Sequence, residues 1–377
     1  PDRPRARLAA RKKFFLARCS DVALLLGFIS LYRTAGSADL ASINALAASG
    51  GLTGAWTSPA LLLTLAAALQ SVQFPTHGWL VEVVEAPTPV SALLHAGIVN
   101  AGGILILRFA DVFSASSAAM FLLLLIGGAS AIYGSLVMLT QRSVKVTLAY
   151  STVAQMGFML LQCGLGVFSS VALHIVAHSL YKAHAFLASG SVVDVARSNG
   201  LNPTAEGGRW LGVFTGVAVA AAAALGLVLI GGNPMSQHPA VLALGAVMTL
   251  GVVHLVMHST TGVSPFRAAA RAFASAGVVA ALYLTLQAGA ALLFAGQVPE
   301  PVELSTAAGV VLALVVLAFA GLTAVQWLRP RLEKTAIWKG LWVHLSNGLY
   351  VNQLSNHFMK LPPRAIADDT DITRTIG

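Results

Sequence analysis

What most restricts the fold of this chain is a succession of apolar segments, each about as long as a bilayer is thick. A membrane-spanning helix needs about 20 apolar residues. Ten segments meet that length, at 14–34, 58–80, 87–107, 117–140, 146–164, 167–193, 210–231, 239–259, 269–296 and 304–328. Only 10% of the residues are charged and 56% are apolar, whereas soluble domains are about a quarter charged. Such a chain cannot cover its surface with polar groups, so lipid is its solvent. Helices satisfy their own backbone in lipid, and the expected class is all-α, a polytopic membrane protein with about 10 transmembrane helices.

The net charge of +9 is topological under this reading. Lys and Arg fall in "PDRPRARLAARKK", "QRSVK", "RSNGLNPTAEGGR", "PFRAAAR" and "RPRLEKTAIWK", while 36–57, 164–167, 232–238 and 297–303 hold none. Ten helices with both termini cytoplasmic fit the positive-inside rule. A nucleic-acid site is a poor account of charges placed this way. The basic start runs into a spanning helix with no small-residue cleavage site, so no secretory signal is read there. Cys19 and Cys163 lie in apolar runs and form neither a disulfide framework nor a metal spacing. With no Gly-rich nucleotide loop, iron–sulfur cysteine set or haem motif, the chain is expected to hold no cofactor and to do no redox chemistry itself.

Ionisable residues inside the spans carry the functional signal. A lysine at mid-membrane costs about 2.5–3.5 kcal/mol on insertion scales. Lys182 nevertheless sits in "HIVAHSLYKAHAF", with His174 and His178 eight and four residues before it on one helical face. Two histidines and a lysine on a shared face suit a buried hydrophilic path, since imidazoles exchange protons near neutral pH. The alternatives are hydrogen bonds that glue helices together or a zinc site at His174 and His178, which no nearby acid or cysteine completes.

Other segments agree. Arg18 and Asp21 stand three apart in the first span and are close enough to pair, with Asp21 either an anchor or a proton acceptor. Pro75 breaks the next span, a stretch that also holds Gln70, leaving backbone carbonyls where Gln73 and His77 can work with water. His95 lies about two turns into a helix opened by the prolines of "APTPVS". Lys145 marks a helix end, as a snorkelling anchor or a functional cation. His254 and His258 form a second pair spaced by four.

Three motifs, "EAPTPVSALLHA", "VKVTLAYSTVAQMGFM" and "HIVAHSLYKAHAFLASGSV", resemble the antiporter-like membrane subunits of respiratory complex I and Mrp-type cation/proton antiporters. They cover about residues 10–195 in the family's order. The resemblance implies that His95, His174, His178 and Lys182 line a central proton-carrying axis, and that Arg18 and Asp21 match the polar start of the family's sixth helix. It also implies that the family's first helices are absent from this sequence, including one that bears a glutamate. The family's broken-helix lysine is replaced by Gln70, and "LGLVLIGGNPMSQ" stands where a second broken helix is expected.

The motif "EAPTPVSALLHAGIVNAGG" and the ending "LWVHLSNGLYVNQL" look more narrowly like DabB, the membrane-subunit family of DAB inorganic carbon transporters. That likeness implies a partner, DabA, a zinc protein related to carbonic anhydrases, and a bacterial inner-membrane location. Residues 1–195 are then an antiporter-like, proton-conducting core and 196–328 the C-terminal transmembrane helices. Residues 329–377 form a cytoplasmic amphipathic segment and tail, whose Asn347 and Asn352 favour a docking role over a lipid anchor. The chain would conduct protons or sodium ions to drive bicarbonate or CO2 uptake by its partner, the alternatives being a subunit of NADH:quinone oxidoreductase or of a sodium/proton antiporter.

Overall fold

A computed structural model describes residues 4–52, 54–190, 238–259, 265–301 and 303–358. The expected span at 210–231, the basic loop before it and the tail beyond residue 358 lie outside the described residues, as do the side chains of His254 and His258. Every regular element among the described residues is helical. Five helices there are long and apolar enough to cross a membrane, within Arg7–Ala35, Thr88–Arg108, Ser117–Met138, Val144–Gly164 and Thr306–Arg329.

The first helix, α1 (Pro4–Ala35), begins well before the apolar run. Its outward side presents Phe14, Phe15, Val22, Leu25 and Ile29, all large, apolar and exposed, as expected of a lipid-facing surface. After α2 (Leu40–Ala48), capped by Asp39 through the Ser42 amide at 2.8 Å, comes α3 (Thr57–Gln70). It ends five residues before Pro75, at Gln70, and the chain resumes as α4 (Gly78–Glu82). Proline disfavours helical backbone in the residue before it, and the intervening loop finds its partners in side chains. Phe74 N donates to Ser130 Oγ at 3.0 Å, and Gln73 Nε2 to the Ser71 carbonyl at 2.7 Å.

The third expected span is also interrupted. α5 (Thr88–Ala96) stops at Gly97, and α6 (Ala101–Arg108) follows a short 3-10 turn. A brief α7 (Ala110–Ser114) leads to α8 (Ser117–Met138), α9 (Val144–Gly164) and α10 (Phe168–Ala188). α8 and α9 touch backbone to backbone. A Cβ at Gly127 or Gly157 would meet main-chain atoms of the facing helix, so only glycine permits the approach. This contact fixes the face of α9 that meets α10.

The C-terminal part contains α11 (Pro239–Ser259), α12 (Pro265–Leu293), α13 (Thr306–Leu332), α14 (Ala336–Ser346) and α15 (Val351–Phe358). α14 and α15 form a hairpin that turns at Gly348 and packs back on the chain's own core. Tyr133 Oη donates to the Gly348 carbonyl at 2.8 Å. The polar groups read as docking signals are satisfied internally: Asn352 bonds Lys12 and Glu82, and Asn347 Nδ2 donates to the Val343 carbonyl. The N-terminal basic run is likewise more than a surface signal. Lys12 is 1% exposed and paired with Glu82, because the long first helix carries it under the hairpin.

Candidate functional site

His95, His178 and Lys182 come together where α5, α9 and α10 meet. Lys182 is fully buried. Its ammonium donates to Ser151 Oγ at 2.8 Å and to the Leu148 carbonyl at 3.1 Å, both on α9. These two acceptors answer the energetic question that the sequence raises. An ammonium removed from water persists where fixed dipoles replace its hydration.

The break at Gly97 supplies the next contact. A helix end leaves its last carbonyls without intrahelical donors, and His178 Nε2 donates to the His95 carbonyl at 3.1 Å. Asn100 Nδ2 donates to the neighbouring Ala96 carbonyl at 2.8 Å and to Ser179 Oγ at 2.9 Å. The His95 ring stacks on Phe186 with centroids 4.2 Å apart, and its Nδ1 lies 3.0 Å from Thr152 Oγ1. Thr152 in turn donates to the same Leu148 carbonyl that receives Lys182.

His174 lies one turn before His178 on α10, its ring centroid 6.0 Å from that of His178 and its Nδ1 2.8 Å from Gln162 Oε1. His174 Nε2 and His178 Nδ1 are buried without a protein partner. Buried polar atoms of this kind are normally met by water. The polar groups thus line up from Gln162 to Ser151, the His178 ring bonded to the His95 backbone carbonyl and Thr152 and Lys182 sharing the Leu148 carbonyl, with no direct bond between the ring of His174, that of His178 and the Lys182 ammonium. The opposite face of α10 presents Val176, Leu180 and Leu187 outward.

The remaining candidates fall elsewhere. Arg18 and Asp21 pair at 2.6 Å, but both side chains are about half exposed on the outer side of α1. Lys145 stands half-buried in the first turn of α9. Gln70 ends α3, and its Oε1 accepts from Lys13 Nζ at 3.1 Å, so α1 brings an ammonium to the place where the side chain itself has none. Lys13 also lies over the Trp79 ring, 4.4 Å from its centroid. His77 is fully buried against Tyr133 and Tyr150, with ring centroids 4.8 and 6.0 Å away.

Several members of these sites are not evident from sequence motifs. Ser151, Thr152 and Gln162 read as ordinary polar residues in α9, and Asn100 as one amide in an apolar run. The glycines at 97, 102 and 103 around Asn100 are the signal that marks the interruption. Lys12 and Glu82 are 70 positions apart, and no local pattern pairs them.

Residues 2–261 match the family described as NADH:quinone oxidoreductase/Mrp antiporter, TM. A protein of Halothiobacillus neapolitanus named "Probable inorganic carbon transporter subunit DabB2" is 38% identical over 358 residues, covering 93% of this chain and 64% of the relative. One of Hydrogenovibrio crunogenus named "Probable inorganic carbon transporter subunit DabB" is 50% identical over 195 residues, 52% of this chain and 38% of the relative. The chain therefore spans under two-thirds of the length of each. Among solved structures, a chain of the Mrp complex from Dietzia sp. DQ12-45-1b superposes with a TM-score of 0.58 at 21% identity, covering all of this chain and 45% of that one, a likeness of fold. The match over 2–261, a helical bundle with interrupted spans and the motifs around His95 and Lys182 lead to one assignment: the chain belongs to the NADH:quinone oxidoreductase/Mrp antiporter transmembrane family.

Proposed function

We propose that this chain is the ion-conducting membrane subunit of an energy-coupled inorganic carbon pump, passing protons or sodium ions down their gradient to drive uptake of bicarbonate or CO2 by a partner. The observation that carries the conducting role is the row of His174, His178 and Lys182 on α10, the last two buried, with His178 bonded to the His95 carbonyl at the break before Gly97. A structural ammonium would need acceptors alone; this one adjoins histidines whose free ring nitrogens call for water. The DabB names of the two relatives support the carbon-pump context.

In the proposed complex the partner is a DabA-like, zinc-containing subunit related to carbonic anhydrases, and the membrane is the bacterial inner membrane with both termini cytoplasmic. Arg18, Asp21, Gln70, His77 and Lys145 are proposed as further members of the ion path. The family description also favours a second reading, a non-catalytic proton-translocating subunit of NADH:quinone oxidoreductase or of a sodium/proton antiporter. Affinity purification of the native complex, followed by mass spectrometry, separates the two. A large zinc-binding partner with bicarbonate uptake in reconstituted vesicles supports the pump, and a set of quinone-reductase subunits overturns it.

A further inference from the structure

α13 has 27 residues, and at 1.5 Å per residue it is about 40 Å long. That exceeds the roughly 30 Å of a bilayer's hydrocarbon, so its last turn, with Arg329 and Arg331, emerges in a headgroup layer. The chain turns at Glu333 and Lys334 and resumes as α14, whose 11 residues are too few to span. α14 buries Trp338 and Leu345 against the rest of the chain. Its Ile337 and Leu341, four apart on one face, are 85% and 44% exposed. A short helix with an apolar outward side, set at the end of a span, lies in the membrane interface.

The elbow between the two helices holds an open cavity of about 260 Å³, lined by Arg329, Glu333, Trp338, Lys339 and Trp342. Arg329 Nε donates to Glu333 Oε1 at 2.8 Å, and its guanidinium lies over the Trp342 ring, 5.0 Å from the centroid. These two contacts hold the guanidinium in the wall and leave its other N–H groups to a ligand. Lys339 has no side-chain partner among the described residues. With Glu333 set against Arg329, the wall keeps one cation in excess. Trp338 packs on Trp342 with ring centroids 6.1 Å apart and is 8% exposed, and its indole N–H has no protein acceptor. A buried donor of this kind is met by an oxygen of water or of a ligand. α14 starts at Ala336, so the positive end of its dipole lies on the side of Trp338 and Lys339. A cationic ligand would compete with Arg329 for the Trp342 face, and a neutral one would leave Lys339 without a counter-charge. A singly charged anion suits the wall.

We propose that this elbow binds the phosphodiester headgroup of an anionic phospholipid. The phosphate bridges the Arg329 guanidinium and the Lys339 ammonium, the tryptophan rings flank the glycerol, and the acyl chains run along Ile337 and Leu341. Tryptophan and basic side chains are the usual residues at this depth, and the cytoplasmic leaflet, where the basic loops put this elbow, carries the anionic lipids. The site requires that the chain lie in a membrane and does not rest on the ion-conducting reading. α14 leads to the turn that Tyr133 holds at Gly348 and to Asn352 on Glu82, so a lipid in the elbow steadies the hairpin against the core.

The test is native mass spectrometry of the purified full chain with phosphatidylglycerol or phosphatidylcholine in mixed micelles. It is run in about 0.3 M salt, where charges not in contact are screened. Phosphatidylglycerol is expected to be retained more tightly than phosphatidylcholine. Arg329→Ala and Lys339→Ala are each expected to weaken it about fivefold, and together about thirtyfold. Lys334→Ala, which removes an exposed cation outside the cavity, is expected to change it less than about twofold. If Arg329→Ala does not fold, as judged by size-exclusion profile, Lys339→Ala decides alone, because it breaks no side-chain contact. Equal retention of the two lipids overturns the headgroup site, as does retention that ignores both Arg329 and Lys339. An equal loss in Lys334→Ala reduces the effect to diffuse surface charge and overturns it too. Inorganic phosphate in excess is the last arm: release of the lipid by phosphate alone would make this a free-oxyanion site and overturn the lipid assignment.

Discussion

His178 donates through Nε2 to the backbone carbonyl of His95, 3.1 Å away across the interface of α10 and α5. That bond exists because α5 stops at Ala96 and leaves the carbonyl without an intrahelical donor. A side chain on one helix is thus registered to a break in another. The bond also commits the His178 proton to Nε2 and leaves Nδ1 as the atom that meets water.

Lys182→Ala is expected to abolish ion-driven uptake while the complex still assembles. The ammonium is the cationic end of the row, and the small alanine leaves Ser151 and Leu148 free to bind water in its place. Loss of a positioned proton-transfer group commonly lowers a rate about a hundredfold or more. Uptake by reconstituted vesicles is the measurement, with co-purification of subunits as the control. Near-normal uptake would reduce Lys182 to helix packing.

Thr152→Val keeps the side-chain shape and removes the hydroxyl beside His95 Nδ1. A buried polar atom stripped of its partner costs about 1–3 kcal/mol. The expected outcome is a lower thermal transition in detergent together with reduced ion flux. Thr152→Ser is expected to restore both, and failure of serine to rescue would show that the methyl group matters instead.

Gly157→Leu drives a side chain into the backbone of α8, where even a Cβ would meet main-chain atoms of Gly127 and Ala131. Overpacking of this kind costs about 1–3 kcal/mol, or more where backbone must shift. A drop in the thermal transition is expected, with a loss of flux because α9 carries Ser151 and Thr152. Gly289→Leu is the control: nothing lies within 4 Å of its added Cβ.

The buried Lys12–Glu82 pair is tested by a double-mutant cycle. Lys12→Met alone leaves a carboxylate only 15% exposed without its ammonium, a loss of about 3–5 kcal/mol for such pairs. Lys12→Met with Glu82→Leu is expected to cost clearly less than the sum of the single changes. Additive losses would mean that the two charges do not depend on one another.

Topology follows from cysteine labelling in intact cells. Single cysteines at Ser49 and Gln297 are expected to react with an impermeant reagent from outside, and one at Lys339 only after the membrane is opened. Reaction of the Lys339→Cys variant from outside would overturn the assignment of both termini to the cytoplasm.

Much of this protein was determined by its sequence alone. Apolar segments of bilayer length dictate a helical membrane protein, because lipid offers the backbone no other partner. Pro75 marks the broken helix, since proline supplies no donor and restricts the residue before it. The spacing of His174, His178 and Lys182 puts them on one face, because helical periodicity is a local property. What the tertiary structure decided is non-local. The interruption at Gly97, with His95 and Ala96 carbonyls met by His178 and Asn100, needs another helix at the right height. Acceptors for Lys182 come from α9, whose position depends on glycine contacts with α8. Lys12 and Lys13 read as topology signals, yet one pairs with Glu82 and the other reaches Gln70. Asn352 reads as surplus to a membrane anchor and proves to be a partner of both charges. Charge and hydropathy show that a polar group must find a partner in lipid; only packing between distant segments chooses which one.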